Sequence, residues 1–191
     1  MADNFFWTNS QLEPKRAYRF TCTILGNSAD PQTALPNGAS YFIKTVQKPG
    51  IEISAKEHMY LGHKFFYPGL VTWAPNPIEI KLIDPVTPDA SNALSAILEG
   101  SGYVIPNSPT TLTTISKNKA VTSLGGVLIQ QRDEEGIAIE TWELQNAFIK
   151  SVKFGDLDYS KEDLTEITLQ VQYDYCLFES TQGITKKFSP Q

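Results

Sequence analysis

The clearest hydrophobic pattern in the chain lies near its carboxyl end, in "LTEITLQVQYDYCLFE" (164–179). Apolar side chains occupy alternate positions there, and polar side chains occupy most of the positions between them. A period of two predicts a β-strand with one dry face and one wet face. The predicted dry face holds Ile167, Leu169, Val171, Tyr173, Tyr175 and Leu177, and the predicted wet face holds Thr168, Gln170, Gln172 and Asp174.

Similar alternation recurs along the chain and predicts further strands. It appears in "AYRFTCTIL" (17–25), at about 41–47 and in "PIEIKLID" (77–84). A strand–turn–strand unit follows from "VLIQQR" through "DEEG" to "IAIETWELQNAFIKSVKF". After the break at "KPG", "IEIS" and the aromatic-rich segment 58–75 suit an extended hairpin, since Gly and Pro interrupt the pattern.

One segment, "TPDASNALSAILEGSG", has helical periodicity instead. Its apolar positions follow the i, i+3, i+4, i+7, i+8 template at Ala90, Ala93, Leu94, Ile97 and Leu98. Thr87 or Asp89 is expected to cap its start, and Gly100 to cap its end. Because only one side is apolar, we expect this helix to lie on a sheet or on a barrel mouth.

Four segments lack periodicity and are expected to be irregular. Two are long loops rich in turn-forming residues, 26–40 and 101–126, the second with room for one short strand. The others are an amino-terminal arm over 1–15 and a polar tail over 180–191. The arm carries three aromatic residues: Phe5, Phe6 and Trp7.

These elements together predict a mainly β protein. Six or more strands and one convincing helix, without alternation of strands and helices, favour an antiparallel β-sandwich or barrel with one packed helix. At 191 residues the chain suits a single domain, over 1–191.

Composition narrows the function classes. Apolar residues make up 41%, charged residues 19%, and the formal net charge is −5. A protein that reads duplex DNA normally has a basic surface, although an acidic protein can enclose nucleic acid that it is not meant to hold. Without an apolar run of about 18 residues or a signal-like start, we expect synthesis in a cytosol. Cys22 and Cys176 are expected to be reduced thiols, with a disulfide as the alternative.

Candidate chemistry is sparse, so the sequence predicts no enzyme, metal or cofactor. His58 and His63 lack the spacing of a metal-binding helix, and the acidic "GDLDYSKED" lacks the spacing of a calcium loop. No G-x-S-x-G elbow occurs, and an unrecognised hydrolase has least support. A small β-barrel that binds a ligand stays open as an alternative, its pocket lined by the aromatics Phe65, Phe66, Tyr67 and Trp73.

The order of the segments resembles the tail tube proteins of contractile-tailed, T-even-like bacteriophages. The resemblance rests on "KRAYRFTCTI", "FIKTVQKPGIEI", "PIEIKLID" and "ETWELQNAFIKSVKFGDLDYSKEDLTEITLQVQYDYCLFE". These segments cover about half of the chain, and they form a pattern of strands and turns rather than a catalytic signature. The sequence departs from the family in the length of 26–40 and 101–126, and in the tail beyond Glu179.

The resemblance implies a structural role without bond chemistry. Family members form homo-hexameric rings that stack into a hollow tube inside a contractile sheath, between a baseplate and a tail terminator. The genome passes through the lumen, and the protein belongs to the virion after assembly in the bacterial cytoplasm. A tube initiator at the baseplate is an alternative. So are the tube proteins of type VI secretion and extracellular contractile systems, which share the fold.

Two sets of site residues follow from this resemblance and from the strand faces. The candidates for lining the lumen are Glu79, Lys81, Thr168, Gln170, Gln172 and Asp174. Candidates for contacts between subunits are Phe5, Phe6, Trp7, Ile51, Ile53, Phe65, Phe66 and Tyr67. An acidic or neutral lumen would let DNA slide, since like charges discourage binding. The alternatives are an ordinary outer surface for the first set and local packing for the second.

Overall fold

A computed structural model describes residues 13–26, 42–87, 89–108, 113–181 and 187–188. Most of the predicted loop 26–40 lies outside these ranges, as do three predicted contact residues: Phe5, Phe6 and Trp7.

Within the described ranges the chain forms ten strands and two helices. In chain order they are β1 (Phe20–Ile24), β2 (Ile43–Val46), β3 (Gly50–Tyr60), β4 (His63–Ala74), β5 (Ile78–Ile83), α1 (Ala90–Gly100), α2 (Lys117–Leu124), β6 (Val127–Arg132), β7 (Ala138–Gln145), β8 (Phe148–Lys153), β9 (Glu166–Gln172) and β10 (Tyr175–Ser180). No helix in these ranges is both long enough and apolar enough to cross a membrane.

Eight of the strands form two antiparallel sheets that share one core. The first sheet has the order β1-β6-β7-β10, and the second sheet has the order β2-β5-β9-β8. Alternate residues of β5 and β9 are fully buried, including Ile80 and its register partner Leu169. Across the core they meet first-sheet residues such as Ile129 and Leu144. The predicted β-sandwich is therefore confirmed.

Both cysteines lie in this core as free thiols. Burial raises the pKa of Cys22 to about 12, and burial likewise raises the pKa of Cys176 to about 12 despite its hydrogen bond with Tyr173. Neither group is therefore ionised at neutral pH, which fits thiols that act as small apolar side chains.

Helix α1 matches the sequence prediction, and helix α2 was not predicted. The Asp89 carboxylate accepts a hydrogen bond from the Asn92 amide and caps α1 at its start. Ser101, rather than Gly100, is the residue at its carboxyl-terminal cap. Helix α2 lies inside the segment expected to be a loop, with Ser116 as its amino-terminal cap. It has only eight residues and most of them are polar, so the sequence shows no clear helical repeat of apolar positions.

The pattern over 164–179 is two strands, not one. β9 belongs to the second sheet and β10 to the first, so the chain changes sheet between them. The buried positions shift phase there, because Tyr173 and then Cys176 point into the core. Tyr175 and Leu177, predicted on the dry face, instead share register positions with Gln145 and Glu143 on the outward face of the first sheet.

The predicted strand in "IAIETWELQNAFIKSVKF" is divided in the same way, into β7 and β8. Phe148 is paired with Gln172, and Gln145 is paired with Tyr175. The same register therefore holds three residues earlier on one side of the pair and three residues later on the other. A single antiparallel ribbon therefore crosses from one sheet to the other. We call the crossing at residues 146–147 and 173–174 the corner, the usual device by which strands switch sheets in a sandwich.

Hydrogen bonds outside the regular ladder hold the chain through this bend. Asn146 Nδ2 donates to Asp174 Oδ2 at 2.8 Å, and the Asp174 amide donates to the Gln145 carbonyl at 3.1 Å. Asn76 Nδ2 donates to the Tyr173 carbonyl at 2.9 Å, while Asn76 Oδ1 accepts from the Tyr173 amide at 3.4 Å. The Asn76 amide thus takes the place of a neighbouring strand.

Replacing Asn76 with alanine should destabilise the corner. Asn76→Ala leaves the buried Tyr173 amide and carbonyl without their partner, which costs about 1–3 kcal/mol of unfolding free energy. Urea unfolding followed by circular dichroism would measure this loss.

The matched control is Asn118→Ala, since Asn118 is exposed on α2. It should change the unfolding free energy by no more than about 0.5 kcal/mol. Equal effects of the two substitutions would contradict the role given to Asn76.

Candidate assembly surfaces

The strands β3 and β4 form a hairpin that differs from every other strand pair in its exposure. They have 11 and 12 residues, which corresponds to a length of about 35 Å. Nearly all of their residues are exposed. The exposed large apolar residues of the hairpin, with Leu61 in its turn, are Ile51, Ile53, Met59, Tyr60, Leu61, Phe65, Phe66, Tyr67, Leu70 and Val71. Exposed apolar surface of this extent marks an interaction surface.

The root of the hairpin has one apolar face. Ile51 is paired with Trp73, and Ile53 is paired with Val71. Residues directly opposite in an antiparallel pair share a face, so these four side chains form a continuous strip. The strip begins at the core, since Trp73 packs against buried residues.

The outer part of the hairpin separates its aromatic residues between two faces. Phe65 is paired with His58, and Tyr67 with Lys56, two positions away on the same face. Phe66 lies between Phe65 and Tyr67 in sequence and therefore points to the opposite face. Phe65 and Phe66 cannot line one pocket on this ribbon, which removes the arrangement on which the ligand-binding alternative depended.

A β-bulge separates the root of the hairpin from its outer part. The register shifts between Ile53 and Ala55, and the Leu70 amide donates to Ser54 Oγ at 2.9 Å. A Cβ atom on Gly69 would lie 2.5 Å from Ser54 Oγ, so a larger residue there would clash unless Ser54 moved. Such a bulge bends and twists the ribbon at a fixed point.

The amino-terminal leg of the hairpin is anchored by a carboxylate. Glu140 on β7 accepts a hydrogen bond from Lys48 Nζ at 2.7 Å, just before β3, and also contacts Lys15. Burial on its own raises the pKa of Glu140, but the hydrogen bonds and charges of the two lysines outweigh it and hold this pKa below its usual value. The ion pairs therefore favour the folded state at neutral pH.

Five of the six predicted lumen residues lie side by side on the outward face of the second sheet. Glu79 is paired with Gln170, Lys81 is paired with Thr168, and Gln172 follows on β9. This is the arrangement expected from their alternation.

The charges on this face nearly balance. Lys81 Nζ lies 3.5 Å from Glu79 Oε1, and Lys44 Nζ lies 2.5 Å from Glu166 Oε1. Hydrogen bonding between the last two raises the pKa of Lys44 and lowers the pKa of Glu166. With Lys153 opposite Thr168, the face is mixed in charge rather than acidic.

Asp174 does not belong to this face. It lies between β9 and β10, where its carboxylate accepts from Lys117 Nζ at 2.6 Å and from Asn146 at 2.8 Å. The hydrogen bond from Lys117, followed by that from Asn146, holds the pKa of Asp174 below its usual value. Its place among the wet-face residues was therefore wrong, because the corner removes it from the strand.

The outward face of the first sheet also carries polar residues, and the sequence analysis did not single it out. Thr21 Oγ1 donates to Gln130 Oε1 at 3.4 Å, and Gln130 Nε2 donates to Thr141 Oγ1 at 3.4 Å. Arg132 Nε also donates to Thr21 Oγ1, at 3.3 Å. The signal was the alternation of "RFTCTIL" and "VLIQQR", which is less regular than that of β5 and β9.

Elsewhere in the described residues, no group of three His, Cys, Asp or Glu side chains lies together as a metal site would need. His58 and His63 are both exposed on the hairpin.

The ion pairs of Glu140 should make stability depend on pH in one direction. At pH values well above 4.5, the ordinary pKa of a glutamate, Glu140→Gln should lower the unfolding free energy by a constant amount. Below that pH the difference should shrink, because the folded-state pKa is lower and wild-type Glu140 becomes protonated in turn. Urea midpoints between pH 3 and pH 7 would measure this.

Glu143→Gln is the matched control, on the outward face of the same strand. Its curve should follow that of wild type. A loss in Glu140→Gln that does not shrink at low pH would contradict the ionic role.

Comparison with known proteins gives similarity at the level of fold. No protein-family model and no curated protein matches the sequence. A chain in the cryo-EM structure of the anti-feeding prophage baseplate, 6-fold symmetrised, aligns with a TM-score of 0.55 and 16% identity, over 90% of this chain and 99% of that chain.

Two chains from an extracellular contractile injection system, PVC, are similar. One comes from its sheath-tube complex in the extended state, with a TM-score of 0.57, 18% identity and coverage of 89% of this chain and 94% of that one. The other comes from its sheath/tube terminator, with a TM-score of 0.57, 18% identity and coverage of 88% and 98%. At these identities the likeness shows that the chains share a fold.

Proposed function

We propose that this chain is a structural tube subunit of a contractile injection apparatus, and that it catalyses no reaction. The observation that carries the proposal is the hairpin, which exposes apolar residues on both faces beside a well-packed core. The shared fold supports it, since similar chains occur in a sheath-tube complex and in a baseplate of contractile systems.

The hairpin has the energetics of a surface that is buried on assembly. Covering one large apolar side chain contributes about 1.5–3 kcal/mol. Four of the exposed hairpin side chains would therefore supply about 6–12 kcal/mol, comparable to the cost of fixing two subunits together. An isolated two-stranded ribbon has little stability of its own, so contact with another copy would also order it.

A ring also accounts for the sheet edges. β1 and β10 end the first sheet, and β2 and β8 end the second. Exposed edges tend to pair with other strands, and in a closed ring of identical subunits each edge can pair with the edge of a neighbouring subunit. We propose homo-hexameric rings that stack into a tube, with sheath, baseplate and terminator proteins as partners.

The finer proposal is a phage tail tube through which DNA passes. Its lumen would be the outward face of the second sheet, with Glu79, Lys81, Thr168, Gln170 and Gln172. The near balance of lysine and glutamate on this face would give DNA little reason to bind. A baseplate-proximal tube initiator, or the tube of an extracellular injection system, has the same geometry, and the number of rings and the cargo would distinguish them.

Removing aromatic residues from the hairpin should prevent assembly without unfolding the subunit. Phe65→Ser with Tyr67→Ser should raise the protein concentration needed for rings at least about tenfold, since it removes two aromatic side chains that assembly would bury. Thermal unfolding of the monomer should be unchanged, because both side chains are exposed. Electron microscopy and light scattering over a concentration series would measure assembly.

Leu157→Ser with Tyr159→Ser is the matched control, since both residues are exposed outside the hairpin. It should assemble like wild type. A wild-type protein that stays monomeric at every concentration and salt would overturn the proposed function.

The lumen assignment predicts a change in DNA retention. Gln170→Lys with Gln172→Lys adds two positive charges per copy to the second sheet, so assembled tubes should retain duplex DNA until the salt concentration is raised. Tubes would be mixed with short labelled duplexes, treated with nuclease and passed through a gel-filtration column. Label that still elutes with the tubes is DNA enclosed in the lumen, since nuclease degrades DNA bound outside.

The control places lysines on the other outward face, as Thr21→Lys with Gln130→Lys. Its DNA should stay sensitive to nuclease. Protected DNA in the control, and none in the first variant, would indicate that the first sheet lines the lumen and the second does not.

A further inference from the structure

The edge of β10 that faces away from β7 is covered by the carboxyl tail. The Phe178 amide donates to the Lys187 carbonyl at 3.2 Å, and the Lys187 amide donates to the Phe178 carbonyl at 2.8 Å. These two bonds form one isolated antiparallel bridge. We call the described tail residues Lys187–Phe188 the strap.

The strap pairs only a part of this edge. Backbone groups along a strand point alternately to its two sides, so Cys176 and Ser180 direct theirs to the same side as Phe178. Among the described residues, the bridge at Phe178 is the one backbone pairing on this side of β10. A neighbouring strand could pair with both Phe178 and Ser180, while Cys176 is fully buried.

The second contact of the strap is with the hairpin. The ring of Phe188 meets Trp73 edge-on, with centroids 5.3 Å apart and planes at 85°. Phe188 is half exposed and has a φ of 63°, which is unfavourable for an aromatic residue. Two backbone hydrogen bonds and one aromatic contact thus hold the strap in place, although the backbone of Phe188 is strained there.

We propose that the strap guards the β10 edge in the free subunit, and that an edge strand of a second copy of this chain displaces it on assembly. This proposal rests on the proposed function as a tube subunit. The strap and an incoming strand need the same amide and carbonyl of Phe178, so only one of them can be bound at a time. Covering an edge with a weakly held segment is a known way to prevent premature pairing.

Displacement also links the edge to the hairpin. When the strap leaves Phe178, the Phe188 ring leaves Trp73, and the apolar strip formed by Ile51, Trp73, Ile53 and Val71 is uncovered at its root. Pairing at one subunit contact thereby exposes surface for another, so the two kinds of contact form together.

Weakening the strap should therefore promote assembly. Phe188→Ala removes the aromatic contact and should lower the concentration threshold for assembly about threefold to tenfold. A chain that ends at Thr181 should lower it at least as much. Lys187→Ala is the matched control, because it keeps the backbone bridge, and should stay within about twofold of wild type. Light scattering over a concentration series, with electron microscopy of the products, gives each threshold.

A second pair of variants tests the edge itself. Ser180→Pro removes one edge-facing amide without removing a bond to β7, and proline is tolerated at such positions. It should raise the assembly threshold more than tenfold while the urea midpoint of the monomer stays close to wild type. Ser180→Ala, which keeps the amide, should assemble normally.

The outcomes separate this proposal from the proposed function. Equal thresholds for all variants, or loss of assembly by a folded chain ending at Thr181, would overturn the strap and leave the tube subunit standing. Normal assembly by Ser180→Pro would overturn the β10 edge as the pairing surface. Absence of assembly in wild type and in every variant would overturn both.

Discussion

The bend of one antiparallel ribbon across both sheets is the constraint on which the rest of this structure depends. β7 with β10 and β8 with β9 keep one register through the corner, so the two sheets are two halves of the same ribbon. A bend removes backbone hydrogen bonds that buried groups require. Asn76 pairs the amide and carbonyl of Tyr173 from outside the ribbon, and the side chains of Asn146 and Asp174 bond to each other across the bend. Without Asn76 the bend would leave the buried amide and carbonyl of Tyr173 unpaired.

The corner also positions the surfaces through which subunits would meet. Asn76 lies two residues after the end of β4, so the carboxyl-terminal leg of the hairpin leaves the body at the corner. Lys117, which binds Asp174, is the first residue of α2 and brings that helix to the same point. The hairpin, α2 and both sheets therefore meet at one small set of polar contacts, while the apolar core supplies most of the burial that stabilises them.

Alternation predicted the local faces well and the global path less well. In β5 and β9 each apolar residue was placed correctly, because burial on one side of a sheet leaves a period of two. The same period continues through a change of sheet, so β9 and β10 looked like one strand and Asp174 was assigned to the wrong surface. Helix α2 was missed because Ala120 and Leu124 alone carry its apolar face. The exposed hairpin was recognisable, since aromatic residues flanked by Gly and Pro suit a ribbon, but its bulge depends on a contact between Gly69 and Ser54 that no local pattern indicates.

The two legs of the hairpin are attached by different kinds of force. At the β3 leg the attachment is ionic, through Lys48 and Glu140, while at the β4 leg it is the packing of Trp73 on the apolar core beside the neutral Asn76 amide. Dissolved ions screen the first and leave the second unaffected. The attachment of the hairpin at β3 therefore depends on the ionic strength around the protein, and its attachment at β4 does not.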